Sequence, residues 1–178
     1  MTLGIIAILL ISIVQLLCLF ALVDQYKSIL QLRDALRLVD TPQELSLVDL
    51  EGVWPSAVGL PVPLDSERFA VVLLLSTKCT TCTAVARGLG GRVQAPLWAV
   101  IAAGSERQGE QFQEEVGLTG ERVLVDVGGR ITENLRIRTF PTAMVFSNGA
   151  AQSARTIPSY RQLRELLKGE VERRSIPA

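Results

Sequence analysis

The stretch FAVVLLLSTKCTTC, residues 69–82, decides how the rest of this chain is interpreted. Its first half, Phe69–Leu75, is apolar without alternation, which predicts a strand buried on both faces. Its second half sets Cys79 and Cys82 one helical turn apart directly after that strand. A helix beginning there favours the thiolate form of the first cysteine through its N-terminal dipole and N–H groups, and Lys78 adds a positive charge. The spacing therefore suits a dithiol that closes and opens as a disulfide.

A CxxC pair is also half of many zinc sites, so the composition has to decide between the two chemistries. Structural zinc takes four Cys or His ligands, whereas this chain has 3 Cys and 0 His. The third cysteine, Cys18, lies in an apolar stretch near the N-terminus. We therefore expect a redox dithiol with no metal and no cofactor, and two inert structural cysteines are the alternative. The lack of His also excludes Ser-His and Cys-His hydrolysis.

The charge balance indicates no nucleic-acid partner. The chain carries 18 Lys and Arg against 18 Asp and Glu, and aromatic residues make up 5% of it. No basic block is present to contact phosphates, and few rings are available to stack on bases.

An apolar segment near the N-terminus, Leu3–Val23, has the length of a membrane-spanning helix and no charged residue. It lacks the basic start, short core and small-residue cleavage site of a signal peptide, so we expect an uncleaved single-span anchor. Lys27, Arg33 and Arg37 follow it and no Lys or Arg precedes it. By the positive-inside rule, this asymmetry places the following domain in the cytoplasm.

Three regions are expected along the chain: the anchor over residues 1–23, a connecting region over 24–63, and a folded domain over 64–178. The connecting region begins with an amphipathic pattern that predicts a juxtamembrane helix to about Val39. Its end, from Glu51 to Asp65, is rich in Gly and Pro and predicts an extended lead-in.

Within the domain, apolar runs alternate with glycines and helix caps. They predict a mixed α/β sheet with helices on both faces, ending in a hairpin around an Asn-Gly turn. The predicted elements after the first strand are a helix over 80–89, a strand over 97–102, a helix over 105–116, a strand over 122–127, a short helix over 131–136, two strands over 142–146 and 150–157, and a last helix from 158.

A proline stands at the entrance of the first hairpin strand, in Thr139-Phe140-Pro141-Thr142. Proline donates no hydrogen bond there, so its position needs a reason. A cis bond before Pro141 turns the chain and leaves the backbone groups of Phe140 facing outward, where an extended peptide can pair with them. An ordinary trans proline is the alternative from the residue types alone.

Together, the CxxC after the first strand, the Pro-Thr some sixty residues later, the hairpin and the last helix resemble the thioredoxin-like superfamily. The resemblance covers roughly Leu64 to Lys168 and implies a thioredoxin-like fold with Pro141 in cis. The helix before the last parallel strand and the sequence VDVGG at 125–129 are more similar to the membrane-anchored TlpA, ResA and MauD-like proteins. Because these relatives work outside the cytoplasm, the resemblance implies an extracytoplasmic domain on a cell-membrane anchor, against the charge asymmetry.

The resemblance also implies roles for individual residues. Cys79 corresponds to the exposed attacking thiolate and Cys82 to the buried resolving thiol, while Thr80, Thr81 and Lys78 tune the reduction potential. The substrate-facing residues are Thr139, Phe140 and Pro141. The implied activity is exchange of the CTTC pair with disulfide-bearing client proteins, and a polytopic membrane redox partner would recycle the pair.

The chain departs from thioredoxins proper at several positions. Lys78 stands where they have Trp, Thr-Thr stands between the cysteines where they have Gly-Pro, and Leu73 stands where they have a buried Asp that relays a proton. Without that Asp, proton transfer must rely on water or on a residue such as Glu67. These departures leave open a non-enzymatic accessory subunit of a membrane complex with a structural CTTC disulfide, and, less favoured, a peroxidase.

Overall fold

The computed structural model describes residues 15–16, 18–27, 41–47 and 53–175. The chain divides into two compact units, Met1–Thr41 and Pro42–Ala178. In the first unit, residues 15–16 and 18–27 are helical and exposed. No helix within the described residues has the length and apolarity needed to cross a bilayer. Most of the predicted span Leu3–Val23 and of the predicted helix over 24–39 lies outside the described residues.

The second unit is built on a mixed, six-stranded sheet with the order β1-β8-β7-β2-β4-β6. The strands β2, β4 and β6 are parallel, whereas β7 runs antiparallel to β2, β8 to β7, and β1 to β8. The predicted mixed sheet with a terminal hairpin is confirmed. The six strands are β1 (Glu44–Leu45), β2 (Ala70–Ser76), β4 (Leu97–Ala103), β6 (Val123–Val127), β7 (Thr142–Ser147) and β8 (Ala150–Thr156).

Five α-helices accompany the sheet within the second unit's described residues, and the predicted caps are clearest at the two ends of Glu106–Val116. The Ser105 side chain accepts a hydrogen bond from the Gln108 N–H, and Gly117 ends the same helix with a positive φ of 72°. The helices are α1 (Pro63–Ser66), α2 (Thr80–Leu89), α3 (Glu106–Val116), α4 (Arg130–Asn134) and α5 (Tyr160–Ser175).

Strand β2 is buried on both faces, which explains its unbroken apolar sequence. Val71, Leu73 and Leu75 pack into a cluster with residues of α2, α3 and α5. The alternate residues, such as Val72 and Leu74, pack on the other face against the segment before β2 and the residues after α4. Side chains of a strand point to alternate faces, so both halves of the run are core. The helices therefore cover both faces of the sheet, as predicted.

The segment before β2 differs from the predicted extended lead-in. A 3-10 turn, Pro55–Val58, and helix α1 fold onto the sheet, and Val58, Leu60 and Leu64 are buried. Earlier still, β1 pairs with β8, so part of the folded domain precedes residue 64. The apolar contacts of these short pieces explain their order, since neither piece is long enough to show a period in the sequence.

A second small sheet joins β3 (Gly91–Arg92) to β5 (Leu118–Thr119) at the far ends of α2 and α3. This sheet was not predicted, because a strand of two residues shows no period in the sequence. Two X-Pro bonds in the described residues are cis: the predicted Phe140–Pro141 bond and the unpredicted Ala95–Pro96 bond.

Two helical glycines offer a matched test of how closely α3 packs on the sheet. A Cβ on Gly109 would lie 2.7 Å from Val125 Cγ2, whereas a Cβ on Gly169 in α5 has nothing within 4 Å. We predict that Gly109→Ala lowers the free energy of unfolding by about 1–2 kcal/mol through overpacking. Gly169→Ala should raise the free energy by about 0.5–1 kcal/mol, because alanine loses less backbone entropy in a helix. Urea denaturation measures both, and equal effects of the same sign would contradict this packing.

Candidate active site

Cys79 occupies the N-cap of α2, directly after the loop that leaves β2. Its backbone is extended, with φ −113° and ψ 114°, and its Sγ accepts a hydrogen bond from the Cys82 N–H at 3.1 Å. The Cys79 carbonyl in turn accepts from the Thr83 N–H at 3.1 Å, the first hydrogen bond of the helix. The half-buried sulfur therefore lies at the positive end of the helix, where negative charge is stabilised.

Cys82 lies one turn further along α2 and is fully buried, with a relative exposure of 0%. Burial in the apolar cluster, followed by a hydrogen bond with Cys79, raises the pKa of the Cys82 thiol well above its usual range. Cys82 is therefore a neutral thiol at neutral pH. Both cysteines are free thiols, and their environments differ as the predicted attacking and resolving roles require.

The loop before β7 forms the other wall of the site. The Cys79 thiol lies 3.6 Å from the Phe140 carbonyl oxygen and donates to it, immediately before the cis bond to Pro141. Behind it, the buried Thr142 hydroxyl donates to the Thr139 carbonyl at 2.6 Å and fixes the loop. The structure thus brings Cys79, Phe140 and Pro141 together, with Thr139 exposed beside them. The Thr142 contribution was missed, and a threonine directly after the proline was its only signal in the sequence.

The residues predicted to tune the cysteines lie around the sulfur of Cys79. Thr80 and Lys78 are exposed, and Thr81 is half-buried. The Lys78 N–H donates to the Ser76 hydroxyl at 3.3 Å, which ties the turn before Cys79 to the end of β2. Lys78 is therefore exposed directly before Cys79.

The surroundings of Cys82 are apolar. Leu73 is fully buried and belongs to the same cluster as Cys82. The suggestion that Glu67 replaces a relay carboxylate is wrong. The Glu67 carboxylate binds the Arg122 guanidinium at 2.9 Å and accepts from Trp98 Nε1 at 3.2 Å. Glu67 precedes β2, and the seven-residue strand separates its two ends by roughly 20 Å.

Two grooves border the site, one beside the turn before Cys79 and one beside the loop before β7. The α3 groove, of about 290 Å³, is lined by Thr77 and Lys78 and by Gln108, Gln111, Phe112 and Glu115 of α3. The α4 groove, of about 740 Å³, is lined by Phe140, Ala102, Gly128 and the residues of α4 and the segment after it, including Glu133, Arg136 and Arg138. The Thr77 N–H donates to the Ala102 carbonyl at 3.2 Å, so a hydrogen bond at the carboxyl ends of β2 and β4 joins a lining residue of one groove to a lining residue of the other.

A buried carboxylate orients the wall of the α4 groove. Asp126, 3% exposed, accepts hydrogen bonds from the Ile131 N–H at 3.0 Å, the Thr132 N–H at 3.0 Å and the Thr132 hydroxyl at 3.1 Å. These three bonds cap the first turn of α4. Asp126 was not among the predicted site residues, although it stands in the VDVGG sequence.

Comparison with known proteins gives matches among solved structures. No family model matches this chain, and no curated protein matches it. The chain is similar to DsbF of Mycobacterium tuberculosis, solved in mixed oxidised and reduced forms, with 18% identity, TM-score 0.48, and 58% of this chain and 81% of that one covered. It is also similar to a thiol-disulfide isomerase from Corynebacterium glutamicum, with 17% identity, TM-score 0.46, and 72% and 94% covered.

A putative protein disulfide isomerase from Bacteroides thetaiotaomicron matches with 12% identity, TM-score 0.48, and 74% and 85% covered. All three TM-scores are below 0.5, so the fold rests on the strand order and helix placement observed in this chain. The strand order and helix placement of this chain are the mixed α/β arrangement of a thioredoxin-like fold.

The unequal environments of the two cysteines predict unequal reactivity. In a Cys18→Ala background, we expect Cys79 in a Cys82→Ser variant to react with iodoacetamide at least about tenfold faster than Cys82 in a Cys79→Ser variant. A raised pKa keeps the Cys82 thiol protonated and unreactive from about pH 6 to about pH 9. Mass spectrometry of timed samples measures both rates, and equal rates would contradict the assigned burial.

Proposed function

We propose that this chain is a membrane-anchored thiol–disulfide oxidoreductase that exchanges its CTTC pair with disulfides of client proteins outside the cytoplasm. The observation that carries the proposal is the position of Cys79 Sγ. It caps the N-terminus of α2, accepts from the Cys82 N–H at 3.1 Å and contacts the Phe140 carbonyl at 3.6 Å. A nucleophilic sulfur is thus held beside backbone to which an extended client can bind.

The exchange has two displacement steps. The Cys79 thiolate attacks one sulfur of the client disulfide, forming a Cys79–client bond, and the second client sulfur leaves as a thiolate that takes a proton from water. The Cys82 thiol then loses its proton to water and attacks Cys79 Sγ, and the first client sulfur leaves as a thiolate that takes a proton from water. The client gains two electrons and two protons, and the CTTC pair becomes a disulfide. The reverse sequence oxidises a client dithiol.

The second step meets an unusual environment in this chain. The Cys82 thiol must lose its proton while it is buried in the apolar cluster that contains Leu73, the position at which thioredoxins proper have a carboxylate. The pKa of the Cys82 thiol is shifted by burial, by Cys79 and by backbone groups, and no carboxylate of the described residues contributes to the shift. We therefore expect the second step to limit the rate.

A trapping experiment tests the proposed activity. Replacing Cys82 by serine removes the second step, so a Cys82→Ser variant should accumulate mixed disulfides between Cys79 and its clients. Non-reducing gel electrophoresis of acid-quenched cells that express the variant detects them. Mass spectrometry of the reduced complexes identifies the clients.

The control is Cys79→Ser, which keeps the fold and the other cysteine but lacks the attacking sulfur. It should trap nothing. Absence of mixed disulfides with Cys82→Ser would favour the alternative, an accessory subunit whose CTTC disulfide is structural.

The anchor and the compartment belong to the same proposal. Support for them comes from the uncharged apolar segment Leu3–Val23 and from the resemblance to anchored proteins. A polytopic membrane protein would then recycle the CTTC pair.

Labelling of intact cells tests the compartment. With Cys18→Ala, a membrane-impermeant maleimide should label Cys79 in intact cells as completely as in lysed cells, and the chain should resist alkaline carbonate extraction. Labelling only after lysis would place the domain in the cytoplasm, in agreement with Lys27, Arg33 and Arg37.

A further inference from the structure

Each of the two grooves is lined by a cation that is close in sequence to a residue of the site. Lys78 lines the α3 groove and directly precedes Cys79. Arg138 lines the α4 groove two residues before Phe140, whose carbonyl contacts the Cys79 thiol. Both side chains are exposed, so each can reach a client bound across Cys79.

The segment that carries Arg138 is held by its neighbours. Ile137 is buried at 8% exposure, and its N–H donates to the Thr132 carbonyl at 2.9 Å. The flanking residues Arg136 and Arg138 are exposed and both line the α4 groove. The Arg138 side chain is therefore presented to the groove by a fixed backbone.

The carboxylates lining the grooves do not cancel these cations. Glu115, in the α3 groove, pairs with the Arg87 guanidinium at 2.6 Å. Glu133 lines the α4 groove together with two arginines. Asp126 lies behind α4, buried, with its oxygens occupied by three hydrogen bonds. A ligand spanning the two grooves therefore meets an excess of positive charge.

We infer that the clients of this site carry acidic residues next to the cysteine that Cys79 attacks, and that Lys78 and Arg138 bind them. This inference rests on the proposed function and specifies its substrate class. The occupant is a polypeptide segment, since one groove is lined by Lys78, directly before Cys79, and the other by Phe140, whose carbonyl contacts the Cys79 thiol. Carboxylates placed on either side of a client cysteine then face one cation in each groove.

The test compares three synthetic peptides that differ only in the residues flanking a single cysteine: Glu, Gln or Lys. The cysteine carries a 2-thiopyridyl disulfide. Attack by the Cys79 thiolate on the peptide sulfur forms a Cys79–peptide disulfide and releases 2-thiopyridone, which is followed by absorbance. The reduced full-length chain with Cys18→Ala is used in a non-ionic detergent.

We expect the Glu peptide to react at least about tenfold faster than the Lys peptide at low salt, because opposite charges speed and orient association. In Lys78→Gln/Arg138→Gln, the ratio of the two rates should fall below about twofold. The ratio is unaffected by any change in the nucleophilicity of Cys79, which acts on both peptides equally. In the unsubstituted chain, about 0.5 M salt should also bring the ratio towards one.

A matched control removes one Lys and one Arg far from the site. Arg92 lies in β3, beyond the opposite end of α2. Lys168 lies in α5, two residues before Glu170. Glu170 lines a cavity together with Gln152 and Ser153, which are in the middle of β8, so this part of α5 packs near β8. Arg92→Gln/Lys168→Gln should keep the full ratio. If this control loses the ratio as well, overall charge explains the selectivity, and the assignment to Lys78 and Arg138 is overturned.

The Gln peptide separates failure of the inference from failure of the function. If it reacts through Cys79 while the Glu and Lys peptides react equally fast, the acidic-client inference is overturned and the exchange activity stands. If the Gln peptide reacts no faster than with a free cysteine, the proposed function and the inference both fail.

Discussion

The site depends on the burial of β2 on both faces. Because neither face of residues 70–75 meets water, the strand is fixed between β4 and β7, and its carboxyl end has one position relative to the neighbouring loops. Cys79 follows that end by three residues and caps α2, which packs on the same sheet through Cys82, Val85 and Ala86. The sulfur is therefore positioned by the core and not by the surface loop that carries it.

The same packing makes the two sulfurs unequal. The helix N-terminus stabilises negative charge on Cys79, while the apolar cluster around Cys82 favours its neutral thiol. Leu73 belongs to the apolar cluster around Cys82, and no carboxylate of the described residues contributes to the raised pKa of that thiol.

The sequence predicted what depends on local pattern. The apolar run of β2, the serine cap of α3 and the Asn-Gly turn between β7 and β8 each have a signal within a few residues. Pro141 was ambiguous by residue type, and the family resemblance decided for the cis bond that the structure contains.

The failures concern features that only distant contacts determine. Strand β1 exists through its pairing with β8, about a hundred residues later in the chain, and two residues show no period. Glu67 is near Cys79 in sequence, but the length of β2 carries it to the far end of the sheet, where Arg122 and Trp98 bind it. Arg136 and Arg138 in the α4 groove were missed for the same reason, because α4 and the loop before β7 converge on Cys79 only in the folded chain.

The proposed exchange requires a CTTC pair that opens and closes. The equilibrium reduction potential of that pair tests the exchange most directly. Titration of the full-length chain against defined dithiothreitol or glutathione mixtures, with alkylation and mass spectrometry, gives the value. We expect the reduction potential of the CTTC pair to lie between about −270 and −120 mV, the range of proteins that exchange disulfides. A potential below about −300 mV, typical of structural disulfides, would contradict it.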